Sequence, residues 1–183
     1  LRCVRAAGRV VSATLAVGTT SARFHQQQQK GQMREGPDVL VNALAGERVI
    51  FRKHAADTGG QLIQFDLVLT KVGGNPPPHI HLHQTERFVV RSGAPRVMVA
   101  DEERELREGE EALIPAGTAH RWWNAGPGDA LVSVEMCPGL HFEELLDEAF
   151  RLVDEGKFGE QGPIDQAATS TWAEKWQQEY RLV

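Results

Sequence analysis

Three histidines occupy alternate positions in the short segment PPPHIHLHQTERF, which covers residues 76–88. Residues two apart in a β-strand point to the same side, so His79 and His81 are predicted to face together, with Cα atoms roughly 6.6 Å apart. Two imidazoles held in this way can share one metal ion. Glu86 follows after a predicted bend, and the later segment PAGTAHRWWN offers His120 as a further ligand. The sequence therefore predicts a metal site built from four side chains.

Imidazole and carboxylate ligands without a thiolate suit one divalent transition metal, either Fe, Mn, Ni, Co, Cu or Zn. In an octahedral metal, four protein ligands leave two positions open for a substrate oxygen and for O2 or water. In tetrahedral zinc, the same four ligands would close the site and make it structural. Glu86 is also predicted to act as the catalytic base that removes a substrate proton. His83 lies outside this ligand set and is expected at the surface of the bend.

The elements that must hold these side chains have the composition of short strands. The segments ERVIFRKHA (residues 47–55) and QLIQFDLVLT (residues 61–70) are rich in β-branched and aromatic residues. Gly, Pro and Asn interrupt the following sequence about every ten residues, up to Met136. This spacing indicates an all-β sandwich or barrel.

After Pro138 the hydrophobic period changes from that of a strand to that of a helix. Apolar residues from Phe142 to Val153 recur at helical spacing, and Gly156 ends the run. A second helix is predicted from Thr171 to Tyr180. Both helices are expected to pack on the outside of the barrel. The predicted organisation is an extension over residues 1–34, a barrel over 35–138 and a helical segment over 139–183.

Strand alternation also predicts a substrate pocket beside the metal site. Phe88 and Val90 share the alternation of Glu86, and Trp122 shares that of His120. Gln64 is predicted to look into the barrel from a neighbouring strand. Such a pocket would favour a flat or apolar small molecule.

The charge distribution bears on partners and location. Residues 1–34 carry six basic side chains and no acid, while the whole chain has a net charge of −5, so the remainder carries −11. An acidic body argues against nucleic acid as a partner. No apolar run approaches the roughly 18 residues of a membrane helix. We expect a cytoplasmic protein that does not bind membranes, with residues 1–34 as a disordered or upstream segment; a targeting segment is the alternative.

Two spacings together resemble the paired motifs of the cupin superfamily. In the first motif, five residues separate Gly73 from His79, one separates His79 from His81, four separate His81 from Glu86, and six separate Glu86 from Gly93. In the second, five residues separate Gly109 from Pro115, one separates Pro115 from Gly117, two separate Gly117 from His120, and three separate His120 from Asn124. The resemblance implies a single-domain cupin, similar to quercetinase-like small cupins. It implies a double-stranded β-helix, or jelly-roll barrel, with one metal held by His79, His81, Glu86 and His120. It also implies a homodimer, as many cupins pair by exchanging or docking strands.

Three functions stay open at this point, because one fold hosts many chemistries. The first is a metal-dependent dioxygenase or related oxidoreductase acting on a small aromatic or enolic substrate. The second is a redox-neutral isomerase, epimerase or lyase, which usually needs a basic residue in the pocket; none has inward parity in the two motifs. The third is a non-catalytic, metal-dependent small-molecule binding protein.

Overall fold

The computed structural model describes residues 34–36, 38–70, 76–159 and 162–183. The predicted N-terminal extension lies outside the described residues except at Arg34, and so does Gly73. Two antiparallel sheets and a C-terminal helical segment make up the described part of the chain.

The larger sheet has seven strands, and every neighbouring pair is antiparallel. In spatial order they are β1 (Arg34–Gly36), β2 (Val39–Asn42), β3 (Glu47–Lys53), β4 (Ile63–Leu69), β11 (Ala130–Cys137), β6 (Thr85–Ser92) and β9 (Glu111–Ile114). A 3-10 helix (Ala55–Thr58) connects β3 to β4.

The second sheet has five strands, again all antiparallel. In spatial order they are β14 (Tyr180–Leu182), β5 (His79–His81), β10 (His120–Asn124), β7 (Pro95–Val99) and β8 (Glu102–Glu105). The remaining elements are α1 (Phe142–Asp154), the short hairpin β12 (Phe158–Gly159) and β13 (Gly162–Pro163), and α2 (Gln166–Trp176).

Strand alternation sorts side chains between the core and the surface. Along β4, Ile63, Phe65, Leu67 and Leu69 are buried, and the residues between them are partly exposed. This is the pattern of a strand with one face on a core. The predicted all-β jelly-roll architecture is confirmed by the two sheets and by the small share of helix.

A glycine between β6 and β7 shows how tightly the barrel turns. Gly93 has a φ of 84°, which disfavours residues with a side chain. A Cβ atom at this position would lie 2.7 Å from the Cα of Ala130 and from the carbonyl oxygen of Asp129. The turn glycine of the first motif is therefore required both by its dihedral angle and by the close approach of the next strand.

Helix α1 forms where the sequence predicts it, and its apolar face packs inward. Phe142, Leu145 and Phe150 are buried, while Glu144 on the other face is exposed. The helix lies against β2 and α2. Within the described part of the chain, no helix is long and apolar enough to cross a membrane.

The second predicted helix is displaced in the structure. Helix α2 begins at Gln166 and ends at Trp176, instead of running from Thr171 to Tyr180. Asp165 caps its first turn by accepting a hydrogen bond from the backbone N–H of Ala168 at 3.0 Å. The chain then turns, and Tyr180 enters β14, which pairs with β5.

Candidate metal centre

The three predicted histidine ligands lie on two adjacent strands of the five-stranded sheet. His79 and His81 are the first and last residues of β5, and His120 opens β10 directly opposite His79. All three are at most 2% exposed. One nitrogen from each lies within 4.8 Å of the others, a separation that one metal ion could bridge.

Glu86 approaches the histidines from the opposite sheet. It lies on β6, and its side chain is 1% exposed. Its Oε2 is 2.9 Å from Nε2 of His120 and 3.8 Å from Nε2 of His81. The structure therefore brings all four predicted ligand residues together between the two sheets.

Backbone carbonyls determine which nitrogen two of the histidines can offer. Nδ1 of His79 is 2.9 Å from the carbonyl oxygen of Pro77, and Nδ1 of His120 is 3.0 Å from that of Thr118. A carbonyl can only accept, so Nδ1 carries the proton in both rings. Nε2 of each is left facing the cluster, which is the usual orientation of a metal-ligating histidine.

Several buried polar atoms at the cluster have no partner among the described residues. They are Nδ1 and Nε2 of His81 and Oε1 of Glu86. A buried polar atom without a hydrogen bond is costly, and such atoms in a folded protein call for an explanation such as an ion. A divalent metal would satisfy one ring nitrogen of His81 and the carboxylate of Glu86, so the residues present fit the group that the sequence predicts.

Protonation at the centre follows from burial and charge. Burial lowers the pKa of His79 well below its usual value, and the neighbouring histidines lower it further. Burial lowers the pKa of His81 to about 4. Both rings are therefore neutral at pH 7, the form that binds metal. For His120, burial also lowers the pKa, but hydrogen bonding and the charge of Glu86 outweigh burial and leave the pKa raised.

The surrounding turns hold the ligand strands in place through backbone contacts. The N–H of Gly117 donates to the carbonyl of His81 at 2.8 Å, which joins the second motif to β5. Gln84, buried beside the bend, donates to the carbonyl of Gly139 at 2.7 Å. Asn124 donates to the carbonyls of Leu69 and Gly128, so it braces a turn.

A cavity of about 550 Å³ adjoins the histidines and lies between the barrel and the C-terminal segment. Helix α1 covers it with Phe142 and Leu145, and α2 contributes Trp172. The opposite wall includes Val49, Phe65, Leu67, His79 and His81. The volume is that of a site for a small organic molecule.

The predicted pocket residues occupy different positions relative to this cavity. Trp122 lines it, with its ring centroid 5.1 Å from that of His79. Phe88 lies edge-on behind Trp122 at 5.2 Å, and Val90 is buried farther along the same face of β6. Neither Phe88 nor Val90 is among the described residues that line the cavity.

The prediction for Gln64 was wrong. Phe65 and Leu67 line the cavity, so Gln64 lies on the other face of β4, where it donates to Glu135 at 2.8 Å. The prediction took the wrong set of alternate residues on β4 as inward-facing. A difference of one residue moves a strand side chain to the opposite face of the sheet. His83, expected at the surface, is exposed.

Tyr180 is a site residue that the sequence prediction missed. Pairing of β14 with β5 sets Tyr180 opposite His81. Its ring stacks on His79 with a centroid separation of 5.0 Å and an interplanar angle of 27°. Loss of hydration raises the pKa of its phenol, and the charges of Glu86 and Glu47 raise it further. The local sequence pattern predicts a helix over this segment, so it gives no sign of a strand that would place Tyr180 beside the histidines.

Two further polar residues on the cavity wall were also missed. Glu47 shares the buried face of β3 with Val49 and Phe51, so its parity was visible in the sequence. Arg121 borders the cavity beside Trp122, although its guanidinium lies 5.0 Å from the ring centroid of Trp123. The wall is therefore more polar than the two motifs alone indicated.

Two facing antiparallel sheets with a buried donor set between them define the chain as a small jelly-roll protein with a candidate metal site. Residues 66–136 match a family model described as a cupin domain. This match covers the segment in which the two motifs predicted a resemblance to cupins.

Other comparisons give shorter or more distant similarities. A 48-residue segment is 50% identical to Oxidoreductase OpS7 of Beauveria bassiana, over 26% of this chain and 16% of the relative's length. A double-stranded β-helix protein from Klebsiella pneumoniae is 18% identical, with 50% of this chain and 76% of the other covered and a TM-score of 0.44. A protein described as a predicted oxalate decarboxylase from Thermotoga maritima is 13% identical, with coverages of 54% and 89% and a TM-score of 0.49.

Proposed function

We propose that this chain is a metal-dependent oxidoreductase of the dioxygenase type that acts on a small aromatic or enolic molecule. The observation that carries the proposal is the buried ligand cluster beside a mostly apolar cavity, with atoms on His81 and Glu86 that have no partner among the described residues. The name of the relative OpS7 supports an oxidoreductase, within the 48 residues that match.

His79, His81, Glu86 and His120 would hold one divalent transition metal. Their nitrogen and oxygen donors are compatible with Fe, Mn, Ni, Co, Cu or Zn. When bound, such a metal would supply Lewis acidity toward a substrate oxygen and, if it is redox-active, the means to react with O2.

The remaining chemistry belongs to side chains of the chain. Glu86 can accept a proton from a substrate hydroxyl at Oε1, which has no other partner among the described residues. Trp122 and Tyr180 flank His79 with their rings and would hold a flat substrate between aromatic faces. Phe142 and Leu145 of helix α1 give the cavity an apolar wall.

Arg121 favours a second candidate function. A redox-neutral isomerase, epimerase or lyase handling a carboxylate or phosphate needs a basic group near its substrate. Arg121 borders the cavity, and its Nε is buried without a partner among the described residues. Turnover without consumption of O2 would favour this alternative.

The first experiment is elemental analysis of the purified full chain beside the double variant His79→Ala/His120→Ala. The matched control is His83→Ala, which removes an exposed histidine from the same segment. We expect about one metal ion per chain in the wild type and in the control, and loss of that ion in the double variant. O2 uptake is then measured on enolic and aromatic substrates.

The results separate the candidate functions. A redox-capable metal with substrate-dependent O2 uptake supports the dioxygenase. Stoichiometric zinc without O2 uptake favours the redox-neutral enzyme, or a metal-dependent binding protein if no substrate turns over. Absence of metal after reconstitution, or equal metal content in the double variant, would overturn the site assignment.

A further inference from the structure

A second polar group lines the cavity on the seven-stranded sheet. Glu47 is 7% exposed, and its Oε1 has no hydrogen-bond partner within the described part of the chain. The residues that share its inward face on β3, Val49 and Phe51, are apolar. At Oε1 this carboxyl group loses hydration that no described residue replaces, so its presence calls for a role.

The β2–β3 hairpin places Glu47 beside a side-chain amide. Asn42 and Glu47 are register partners where the two strands meet the turn, and both line the cavity. The Oδ1 of Asn42 accepts from the backbone N–H of Ala45 at 3.1 Å, so the amide donors remain for other contacts. Burial raises the pKa of Glu47, and a hydrogen bond from Asn42 to its side chain opposes that rise. The pair therefore presents an acceptor supported by a neighbouring donor.

Sheet register separates this pair from the metal centre. Glu86 of β6 and Ile63 of β4 both pair with Met136 of the strand between them, β11. Glu86 is therefore level with the Ile63 end of β4. Glu47 pairs with Leu69 at the other end of β4. Tyr180 lines the same cavity, and the charges of both carboxylates act on its phenol. The cavity thus has the candidate metal ligands near one end and the carboxyl of Glu47 near the other, with aromatic and aliphatic walls between them.

The protonation of Glu47 is consistent with contact to a ligand. Burial raises its pKa to about 7, and the hydrogen bond from Asn42 opposes the rise. A carboxyl with this pKa can accept a neutral donor in either protonation state and can ionise when a cation approaches.

We propose that Glu47 and Asn42 form a second recognition subsite, which binds a hydrogen-bond donor on the end of the ligand that lies away from the histidines. The donor is a hydroxyl or an ammonium group. The substrate class is then an elongated, mostly apolar molecule with an oxygen at one end and a donor at the other. Only the assignment of the oxygen-bearing end of the ligand to the metal centre rests on the proposed function.

Each probe carries at most one polar group, and titration of the His79→Ala/His120→Ala variant separates binding at this subsite from binding of that group to a metal. The probes are 4-ethylphenol, 4-ethylbenzylamine and 4-ethyltoluene, which share one apolar body and differ in the terminal group. Their dissociation constants are measured by isothermal titration calorimetry with the wild-type chain and with the variants Glu47→Gln and Glu47→Leu. Glu108→Gln, a change at an exposed glutamate, is the matched control.

We expect at least one donor probe to bind the wild type and the control about tenfold more tightly than 4-ethyltoluene. Glu47→Leu should abolish the preference, and Glu47→Gln should reduce it, most strongly for the amine. Stronger binding of the amine than of the phenol would identify an ammonium group; the reverse order would identify a hydroxyl. If Glu47→Leu does not fold, the Glu47→Gln result decides.

Equal binding of the three probes, a preference that survives in both variants, or failure of all three to bind would overturn the subsite. The last result would mean that Glu47 is a structural carboxyl solvated by water. The same titrations with His79→Ala/His120→Ala separate the two proposals. A donor preference that persists in this variant supports the subsite even if metal analysis has refuted the metal centre.

Discussion

At the scale of single residues, Glu86 differs from the three histidines because it is a carboxylate supplied by the opposite sheet. Replacing it with glutamine preserves volume but removes the charge that a cation requires. Loss of a group that only orients a ligand typically costs about 10- to 100-fold in metal affinity, so we expect Glu86→Gln, which alters a ligand, to cost at least about 10-fold, measured by competition with a chelator at neutral pH. His83→Gln is the control, and an unchanged affinity in Glu86→Gln would exclude Glu86 as a ligand.

Glu47 leads to a prediction about the pH dependence of stability. Its pKa rises from 4.5 to about 7 on folding, so the folded state retains a proton that the unfolded state releases. The carboxyl therefore lowers the free energy of unfolding only slightly at pH 4.5. This destabilisation grows as the pH rises to 7, where it reaches about 3 kcal/mol, and it stays constant at higher pH. Glu47→Gln should match the wild type at pH 4.5 and be more stable at pH 9, as measured by urea unfolding. The same difference in stability at both pH values would contradict the claim that burial raises the pKa of Glu47.

At the scale of elements, His54 connects the barrel to the helix that covers the cavity. It follows β3, and its ring contacts Glu143 of α1 and, at 3.0 Å, Asp38. The hydrogen bond to Glu143 is the main cause of its raised pKa. A raised histidine pKa stabilises the folded state below the unfolded pKa of 6.5, and this contribution is lost as the pH rises through the folded pKa.

We therefore expect His54→Gln to destabilise the protein at pH 5.5 and to have little effect at pH 9. The ring is more than a third exposed, so solvent screening should keep the loss below about 1 kcal/mol. Thermal unfolding at the two pH values measures the difference, with His83→Gln as the control. A larger loss at pH 9 than at pH 5.5 would show that the charged pair does not join α1 to the barrel.

Helix α1 itself should depend on its inward face. Leu145 is 2% exposed and borders the cavity. Truncating a buried leucine typically costs 2–5 kcal/mol, and we expect Leu145→Ala to cost about 2 kcal/mol because one side already faces open space. Chemical unfolding measures the loss, and the exposed Glu144→Ala should change stability by less than about 0.5 kcal/mol. Equal effects of the two substitutions would mean that α1 is not packed on the barrel.

At the scale of the whole molecule, the homodimer implied by the cupin resemblance stays a prediction. The edge strand β8 carries exposed charged residues, which disfavour strand pairing. The other sheet ends in β9, where Leu113 is 51% exposed. We expect sedimentation equilibrium to give twice the chain mass of 20.2 kDa, and Leu113→Lys to shift the equilibrium toward the monomer. A monomer at micromolar concentrations in the wild type would refute the dimer.

The sequence by itself determined the features that depend on local periodicity. The alternation of His79 and His81 required only strand geometry, and the course of α1 required only the helical spacing after Pro138. The two cupin motifs supplied Glu86 and His120, because each motif is a short stretch with constant spacing. Local spacing of this kind survives folding, since neighbouring residues keep the same relation in any strand or helix.

Only the tertiary structure decided how distant segments meet. Tyr180 reaches His79 because β14 pairs with β5, nearly a hundred residues earlier in the chain. Glu47 joins the same cavity through the register of β3 with β4, while the parity of that sheet turns Gln64 away. Such contacts depend on register and on the twist of two sheets, which a single sequence does not encode in any local period. The walls of the cavity therefore became visible only in the folded chain, whereas the candidate ligand residues could be named from the sequence alone.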